Sequence, residues 1–95
     1  MRFVIFSKDK SGSLSIRKAN REAHLAWLKT DTAAEVLMAG PWLNEDGEMA
    51  GSLLVVECES RAALDGWMSR DPYAAAGLPA EVTIKSFLWA INPPD

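Results

Sequence analysis

The sequence predicts a single α+β domain, residues 1–95, in which strands and helices follow the order β-α-β-β-α-β. Four short apolar runs rich in β-branched residues alternate with two stretches of helical periodicity. The composition, 48% hydrophobic and 24% charged, is that of a folded domain rather than a disordered chain. This element order predicts a ferredoxin-like fold, an antiparallel sheet with two helices on one face.

The first half of the chain is expected to form a strand, a long helix and a second strand. Either Ser13 or Ser15 is expected to cap the helix. Proline has no N–H to donate, so the pairing of the second strand is expected to stop near Pro41. The predicted elements are a strand over residues 3–7, a helix over residues 16–32 and a strand over residues 35–42.

The second half begins with a turn that favours a positive φ at Gly47. Ser60 is expected to cap the second helix, and Asp71 to end it, because the residue before a proline is pushed out of the α region. A short turn or single helical turn follows. The predicted elements are a strand over residues 51–57, a helix over residues 61–69 and a strand over residues 82–91.

The third strand is apolar on both of its faces, since Leu53 and Val55 alternate with Leu54 and Val56. Helices can cover only one face of the predicted sheet. A contiguous apolar face normally marks an interaction surface. We therefore expect a dimeric α+β barrel, a homodimer packed sheet against sheet, with Leu54 or Val56 facing the partner.

The first helix carries His24, the only histidine of the chain. At about 100° per residue, Trp27 and Leu28 share a face with it, and so do Arg17 and Arg21. This face is apolar after His24 and polar before it. A purely structural amphipathic helix would keep its apolar stripe from end to end, so the break indicates a functional site.

In the predicted topology the two helices run antiparallel, which brings Asp71 towards His24. The first two strands end at the same edge of the sheet. We therefore expect a small apolar cleft in which a few polar groups converge, the usual form of a ligand site. The residues expected to border it, besides His24 and Asp71, are Ser7, Arg17, Arg21, Trp27, Gly40, Pro41 and Tyr73.

Several roles remain open for these polar residues. His24 either exchanges a proton near neutral pH, with Asp71 accepting its ring N–H, or merely packs and hydrogen-bonds a carbonyl group. Asp71 is alternatively only a turn residue. Arg17 and Arg21 either hold a carboxylate or phenolate by charge-assisted hydrogen bonds, or are solvated surface charges.

Composition argues against several other classes of protein. A net charge of −3 with scattered basic residues gives no footprint for nucleic acid. No apolar run approaches the roughly 18 residues of a membrane span, and the N-terminus lacks a signal-peptide pattern. Cys58 is the only cysteine, which fits a reducing compartment, so we expect a cytoplasmic protein. We expect no metal and no other cofactor, since the chain has no cluster of ligand-spaced residues.

Five segments, in this order and spacing, resemble the YciI-like (YCII-related) family nearly from end to end. The segments are Arg17-x3-Arg21-x2-His24-Leu25, Leu37-Met-Ala-Gly40-Pro41, Gly51-Ser52, Asp71-Pro72-Tyr73-x3-Gly77 and Val82-x-Ile84-Lys85-x-Phe87.

The resemblance implies a dimeric α+β barrel of ferredoxin-like subunits with a histidine–aspartate pair in a cleft, which maps onto His24 and Asp71. It also implies that some relatives dehydrochlorinate chlorinated hydroxyquinols. Trp27 and Trp42 are expected to alter the pocket wall. The function we predict is cofactor-independent acid–base catalysis, of lyase, isomerase or dehydrohalogenase type, on a small cyclic or aromatic anion. The alternative is a non-catalytic ligand-binding or accessory protein that uses the same cleft.

Overall fold

A computed structural model describes residues 1–95, and its element order is the predicted β-α-β-β-α-β with one short helix added before the last strand. The added helix occupies the segment predicted as a turn or single helical turn. The elements are β1 (Arg2–Asp9), α1 (Leu14–Thr30), β2 (Ala34–Leu43), β3 (Met49–Cys58), α2 (Arg61–Met68), α3 (Pro72–Ala75) and β4 (Pro79–Ser86).

The four strands form one antiparallel sheet in the order β2-β3-β1-β4, as a ferredoxin-like fold requires. In the β1–β3 register Phe3 lies opposite Val56 and Ile5 opposite Leu54. These side chains point to the face that α1 and α2 cover. The core between the sheet and the helices consists of Phe3, Ile5, Trp27, Ala34, Leu54, Val56, Cys58, Leu64 and Trp67.

The other face of the sheet, which we call the open face, is also largely apolar. The prediction that Leu54 or Val56 faces a partner is wrong, because both side chains are buried in the core against the helices. Strand alternation instead directs their neighbours to the open face. Phe6 and Met38 are each 46% exposed there. The apolar residues of the open face are Val4, Phe6, Met38, Trp42, Leu53 and Val55.

Among the strand boundaries that differ from the prediction, two are explained by pairing. The last strand was expected over residues 82–91 but ends at Ser86, which lies opposite Phe3 near the beginning of β1. Beyond that point only one backbone bond to β1 follows, from the N–H of Phe87 to the carbonyl oxygen of Arg2, because β1 itself begins at Arg2. Pairing of β2 was expected to stop near Pro41 but continues to Leu43. Because β2 is an edge strand, a proline is tolerated there when the side that lacks the N–H faces solvent rather than a neighbouring strand.

Of the two predicted serine N-caps, only the cap of α2 is made by a side-chain hydrogen bond. Ser13 is the N-cap of α1, but its backbone (φ −105°, ψ 14°) is not extended and its hydroxyl caps no N–H. Ser60 is extended, and its hydroxyl accepts a hydrogen bond from the N–H of Ala63, as predicted. The predicted turn has a positive φ of 78° at Gly47. No helix has both the length and the apolar character needed to cross a membrane.

Candidate active site

His24 on α1 and Asp71 at the start of α3 form a buried hydrogen-bonded pair, with 2.8 Å between Nδ1 and Oδ1. The same carboxylate oxygen accepts the backbone N–H of Tyr73 at 2.9 Å, so Asp71 also caps α3. An ionised carboxylate only accepts hydrogen bonds, so Nδ1 is the protonated nitrogen of the neutral ring and Nε2 carries the lone pair. The predicted contact is therefore present, and Asp71 is both a turn residue and the partner of His24.

The pair lies beside a cleft of about 90 Å³ between α1 and the sheet. The cleft shares Leu25, Leu28 and Ala39 with a wider open groove of about 690 Å³ along α1 and β2. That groove is also lined by Lys29, Asp31, Thr32 and Glu35, and it opens beside the cleft along their shared wall. The cleft is bordered by Arg17, Arg21, His24, Leu25, Leu28, Ala39, Gly40, Pro41, Ser52, Leu54 and Tyr73.

Arg17 is not a solvated surface charge, the second of the two roles left open for it. Its side chain is buried, and Nε and Nη2 donate to the two carboxylate oxygens of Asp9 at 2.7 and 3.0 Å. Nη2 also donates to Ser52 Oγ at 2.8 Å. Burial alone lowers the pKa of Arg17, but the bonds and charge of Asp9, helped by Tyr73, raise it overall. Arg17 is therefore a permanent, already neutralised cation in the cleft wall.

Arg21, one turn later on α1, is in a different position. It borders the cleft and is exposed, and its guanidinium forms no ion pair or hydrogen bond within the chain. Arginine donates five N–H groups in a planar fork, which suits a carboxylate or phenolate oxygen. Of the two arginines predicted to hold an anion, Arg21 is the one with no donor committed within the chain, whereas Arg17 has Nε and Nη2 bonded to Asp9 and Ser52.

Tyr73 connects the arginine side of the site to the histidine. Its ring is stacked on the His24 ring, with centroids 3.9 Å apart and planes inclined by 13°. The Arg17 guanidinium carbon lies 4.7 Å from the Tyr73 ring centroid. Burial raises the pKa of the Tyr73 phenol, while the positive charges of Arg17 and Arg21 oppose this rise. The net result is a phenol that keeps its proton well above neutral pH.

The remaining predicted site residues separate into two groups. Gly40 and Pro41 border the cleft. Ser7 lies deeper, at an inner cavity of about 50 Å³ that also touches His24, and its carbonyl accepts the indole N–H of Trp42 at 2.8 Å. Trp27 does not border the cleft. It packs in the core against Trp67, with ring centroids 4.1 Å apart, because its position on α1 points to the sheet–helix interior.

Two buried polar residues were absent from the predicted site, namely Asp9 and Ser52. Asp9 lies beyond the strand predicted over residues 3–7, yet it continues the alternation of Phe3, Ile5 and Ser7 on the helix-covered face of β1. Extending the period-2 pattern by one more step would have placed it there. Ser52 lies opposite Ser7 in the sheet, and its hydroxyl has no sequence signal apart from its place in the family motif.

The site contains no group of three His, Cys, Asp or Glu side chains close enough to share a metal ion. Its functional groups are an imidazole, carboxylates, guanidinium groups and a phenol. Such a set can transfer protons and hold an anion.

The fold and the cleft together define a small ferredoxin-like α+β protein with a histidine–aspartate pair beside a ligand-sized opening. The sequence profile of the YCII-related domain matches residues 1–88, and the chain belongs to this family. The resemblance found in the sequence is thereby confirmed. Protein YciI of Escherichia coli O6:H1 is 38% identical over 94 residues, which cover 92% of this chain and 96% of that protein.

A solved structure extends this comparison. The 5-chloro-2-hydroxyhydroquinone dehydrochlorinase (TftG) of Burkholderia phenoliruptrix, in complex with 2,5-dihydroxybenzoquinone, is 35% identical. It superposes with a TM-score of 0.84 over 95% of this chain and 96% of that one. An antibiotic biosynthesis monooxygenase, 10% identical with a TM-score of 0.56 over 92% and 97% of the two chains, shares the fold alone.

Proposed function

We propose that this protein is a small enzyme in which His24 takes up and returns a proton at a ligand bound in the cleft. The observation that carries the proposal is the buried bond of 2.8 Å between His24 Nδ1 and Asp71 Oδ1. With Nδ1 held as a donor, Nε2 is the basic nitrogen. The carboxylate of Asp71 stabilises the imidazolium that proton uptake creates, as required of the partner of a general base.

The cleft favours a small, flat and anionic ligand. Leu25, Leu28 and Pro41 supply apolar walls, and Arg21 supplies donors that no group of the chain occupies. A carboxylate or ionised hydroxyl placed at Arg21 leaves the ring of the ligand against the apolar walls. The wider groove beside the cleft gives such a molecule access from solvent.

The reaction we propose is dehydrochlorination of a chlorinated hydroxyquinol. Support comes from the 35% identity and TM-score of 0.84 to the 5-chloro-2-hydroxyhydroquinone dehydrochlorinase. Overall, such a reaction removes one proton and one chloride ion from the substrate, and the chloride leaves with the electron pair of the carbon–chlorine bond. It therefore needs proton transfer and no external oxidant, which fits the groups present in the cleft.

The test is chloride release from 5-chloro-2-hydroxyhydroquinone. Wild-type protein should release chloride, and His24→Ala should be slower by about a hundred-fold to ten-thousand-fold. Asp71→Asn, which keeps the oxygen but loses the charge, should also be slow. Lys18→Gln, on the exposed side of α1, is the matched control and should match wild type.

A different outcome would favour the non-catalytic alternative. If 2,5-dihydroxybenzoquinone binds wild type and His24→Ala equally and neither releases chloride, the cleft is a binding site without acid–base catalysis. Absence of both binding and turnover in the wild type would contradict the assigned ligand class.

We further propose that the protein works as a homodimer joined through the open face. This face is built from apolar side chains, among them Phe6 and Met38, each 46% exposed. Phe6 is stacked on Trp42 with centroids 5.3 Å apart, which adds a continuous aromatic contact to this apolar surface. A second copy packed on this face would remove these side chains from water and bring together two sheets, as in a dimeric α+β barrel.

A further inference from the structure

The phenol oxygen of Tyr73, like the guanidinium of Arg21, is a polar group of the cleft that makes no hydrogen bond within the chain. Tyr73 is only 3% exposed, and its side-chain oxygen takes part in none of the hydrogen bonds of the chain; only its backbone N–H is bonded, to Asp71. The phenol oxygen itself is not sealed from solvent, since Trp27 Nε1 is the one buried side-chain nitrogen or oxygen of the chain without a hydrogen-bond partner. Tyr73 borders both the cleft and the inner cavity, so a bound molecule can reach it.

The neighbours of Tyr73 determine which kind of hydrogen bond it can make. Arg17 and Arg21 both face the phenol closely enough for their charges to favour its ionised form. Guanidinium groups only donate hydrogen bonds, so towards them the phenol oxygen can only accept. Of the nearby carboxylates, Asp9 accepts from Arg17, and Oδ1 of Asp71 accepts from His24 and from the Tyr73 backbone; neither carboxylate accepts the phenol proton. The phenol proton therefore has no acceptor within the chain.

We infer that the hydroxyl of Tyr73 donates a hydrogen bond to an oxygen of the bound substrate and so acts as a second functional group beside His24. This inference rests on the proposed function, because it assigns the substrate oxygen to the same cleft. The stacked rings hold the phenol at a fixed place relative to the imidazole, with 3.9 Å between centroids. A substrate oxygen bound to Tyr73 is thereby placed at a defined position relative to Nε2 of His24.

Burial raises the pKa of Tyr73, which keeps the hydroxyl protonated over the whole neutral range. A donor that keeps its proton stabilises negative charge as it develops on the substrate oxygen. Loss of a hydroxyl proton from a hydroxyquinol creates such a charge. The stacking and the hydrogen bond are separable contributions, because phenylalanine retains the ring but has no hydroxyl.

The experiment compares Tyr73→Phe with wild type by calorimetric titration with 2,5-dihydroxybenzoquinone and by chloride release. We expect affinity and turnover to fall about ten-fold or more, the range for a hydrogen bond to a charged group. Ser13→Ala is the matched control. It removes another buried hydroxyl that makes no capping bond and lies outside the cleft, and it should leave both quantities unchanged.

A second measurement uses the wild type alone, in case the variant folds poorly. Tyr73 is the only tyrosine of the chain, so protein labelled with carbon-13 at the tyrosine ζ position gives one signal. Saturation with the quinone should shift this signal. An unshifted signal, or equal affinity in folded Tyr73→Phe, would overturn the role of Tyr73 and leave that of His24 intact. A wild type that neither binds the quinone nor releases chloride would overturn the proposed function and this inference together.

Discussion

Arg17 and Asp9 are joined by two hydrogen bonds, 2.7 and 3.0 Å long, and both side chains are almost completely withdrawn from solvent. The pair links α1 to the end of β1 and forms part of the cleft wall. Buried charges of this kind are expensive to separate, because the remaining partner is left unpaired in a medium of low polarity. Replacing only one residue of this ion pair should therefore destabilise the site, because the other charge stays buried.

Replacing Arg17 with methionine should destabilise the protein strongly. The change leaves the Asp9 carboxylate buried without its partner, which costs about 3–5 kcal/mol in free energy of unfolding. Urea denaturation measures this cost. Arg70→Met is the matched control, since Arg70 is bonded to Asp31 on the exposed surface and its loss should change the free energy little. Equal effects of the two changes would contradict the structural role of the Asp9–Arg17 pair.

Replacing Asp71 with alanine should allow the proton of the neutral His24 ring to move from Nδ1 to Nε2. Without the carboxylate, nothing holds the proton on Nδ1, and nitrogen-15 NMR of this single histidine should show the Nε2–H form gaining population. The same change also removes the cap of α3. Ser60→Ala removes the equivalent cap of α2 and should leave the His24 spectrum unchanged. An unaltered tautomer in Asp71→Ala would mean that the bond is absent in solution.

Tyr73 should make the protein sensitive to alkali. Burial raises the pKa of the folded phenol above its ordinary value of about 10. The folded state therefore binds this proton more tightly than the unfolded state. Stability from this group is fully present below the ordinary pKa and is lost as pH rises through the raised one. Denaturation between pH about 9 and about 11 should show a smaller loss of stability in Tyr73→Phe than in wild type.

The sequence predicted the class and order of elements well, because they follow from local patterns. Helical periodicity and the N-cap Ser60 act over a few residues, and the meeting of His24 with Asp71 follows from topology. The sequence did not predict where the last strand ends or that Arg17 is buried in an ion pair, because both depend on residues in other elements of the fold. Neither the point at which β4 stops pairing with β1 nor the pairing of Arg17 with Asp9 can be read from a local window.

Gly51 should not tolerate even a methyl group. A β-carbon at this position would collide with the indole of Trp42 and with the carbonyl oxygen of Ser7. Gly51→Ala should therefore lower the free energy of unfolding by about 1–3 kcal/mol, or more if the strand must shift. Gly40→Ala is the control for stability, because a β-carbon there meets no atom within 4 Å. Trimming Trp42 should rescue Gly51→Ala only in part, since the Ser7 backbone remains.

Met38→Lys should dissociate the proposed dimer without unfolding the subunit. Met38 is 46% exposed on the open face, so a single subunit can keep the new charge in water, whereas a partner would bury it. Sedimentation should change from about twice the chain mass to the chain mass, with circular dichroism unchanged. Ile16→Lys, which places the same charge on α1, should remain dimeric. A wild type that sediments as a monomer at all concentrations would contradict the dimer.

One oxygen atom, Oδ1 of Asp71, receives both the imidazole N–H of His24 and the amide N–H of Tyr73. The histidine is thus aligned only while the four-residue turn of α3 is intact. If this turn opens locally, the carboxylate partner and the stacked Tyr73 ring separate from His24 together. The fraction of molecules ready to react is then set by the opening equilibrium of residues 71–76, and hydrogen exchange of these few amides, rather than global unfolding, would report it.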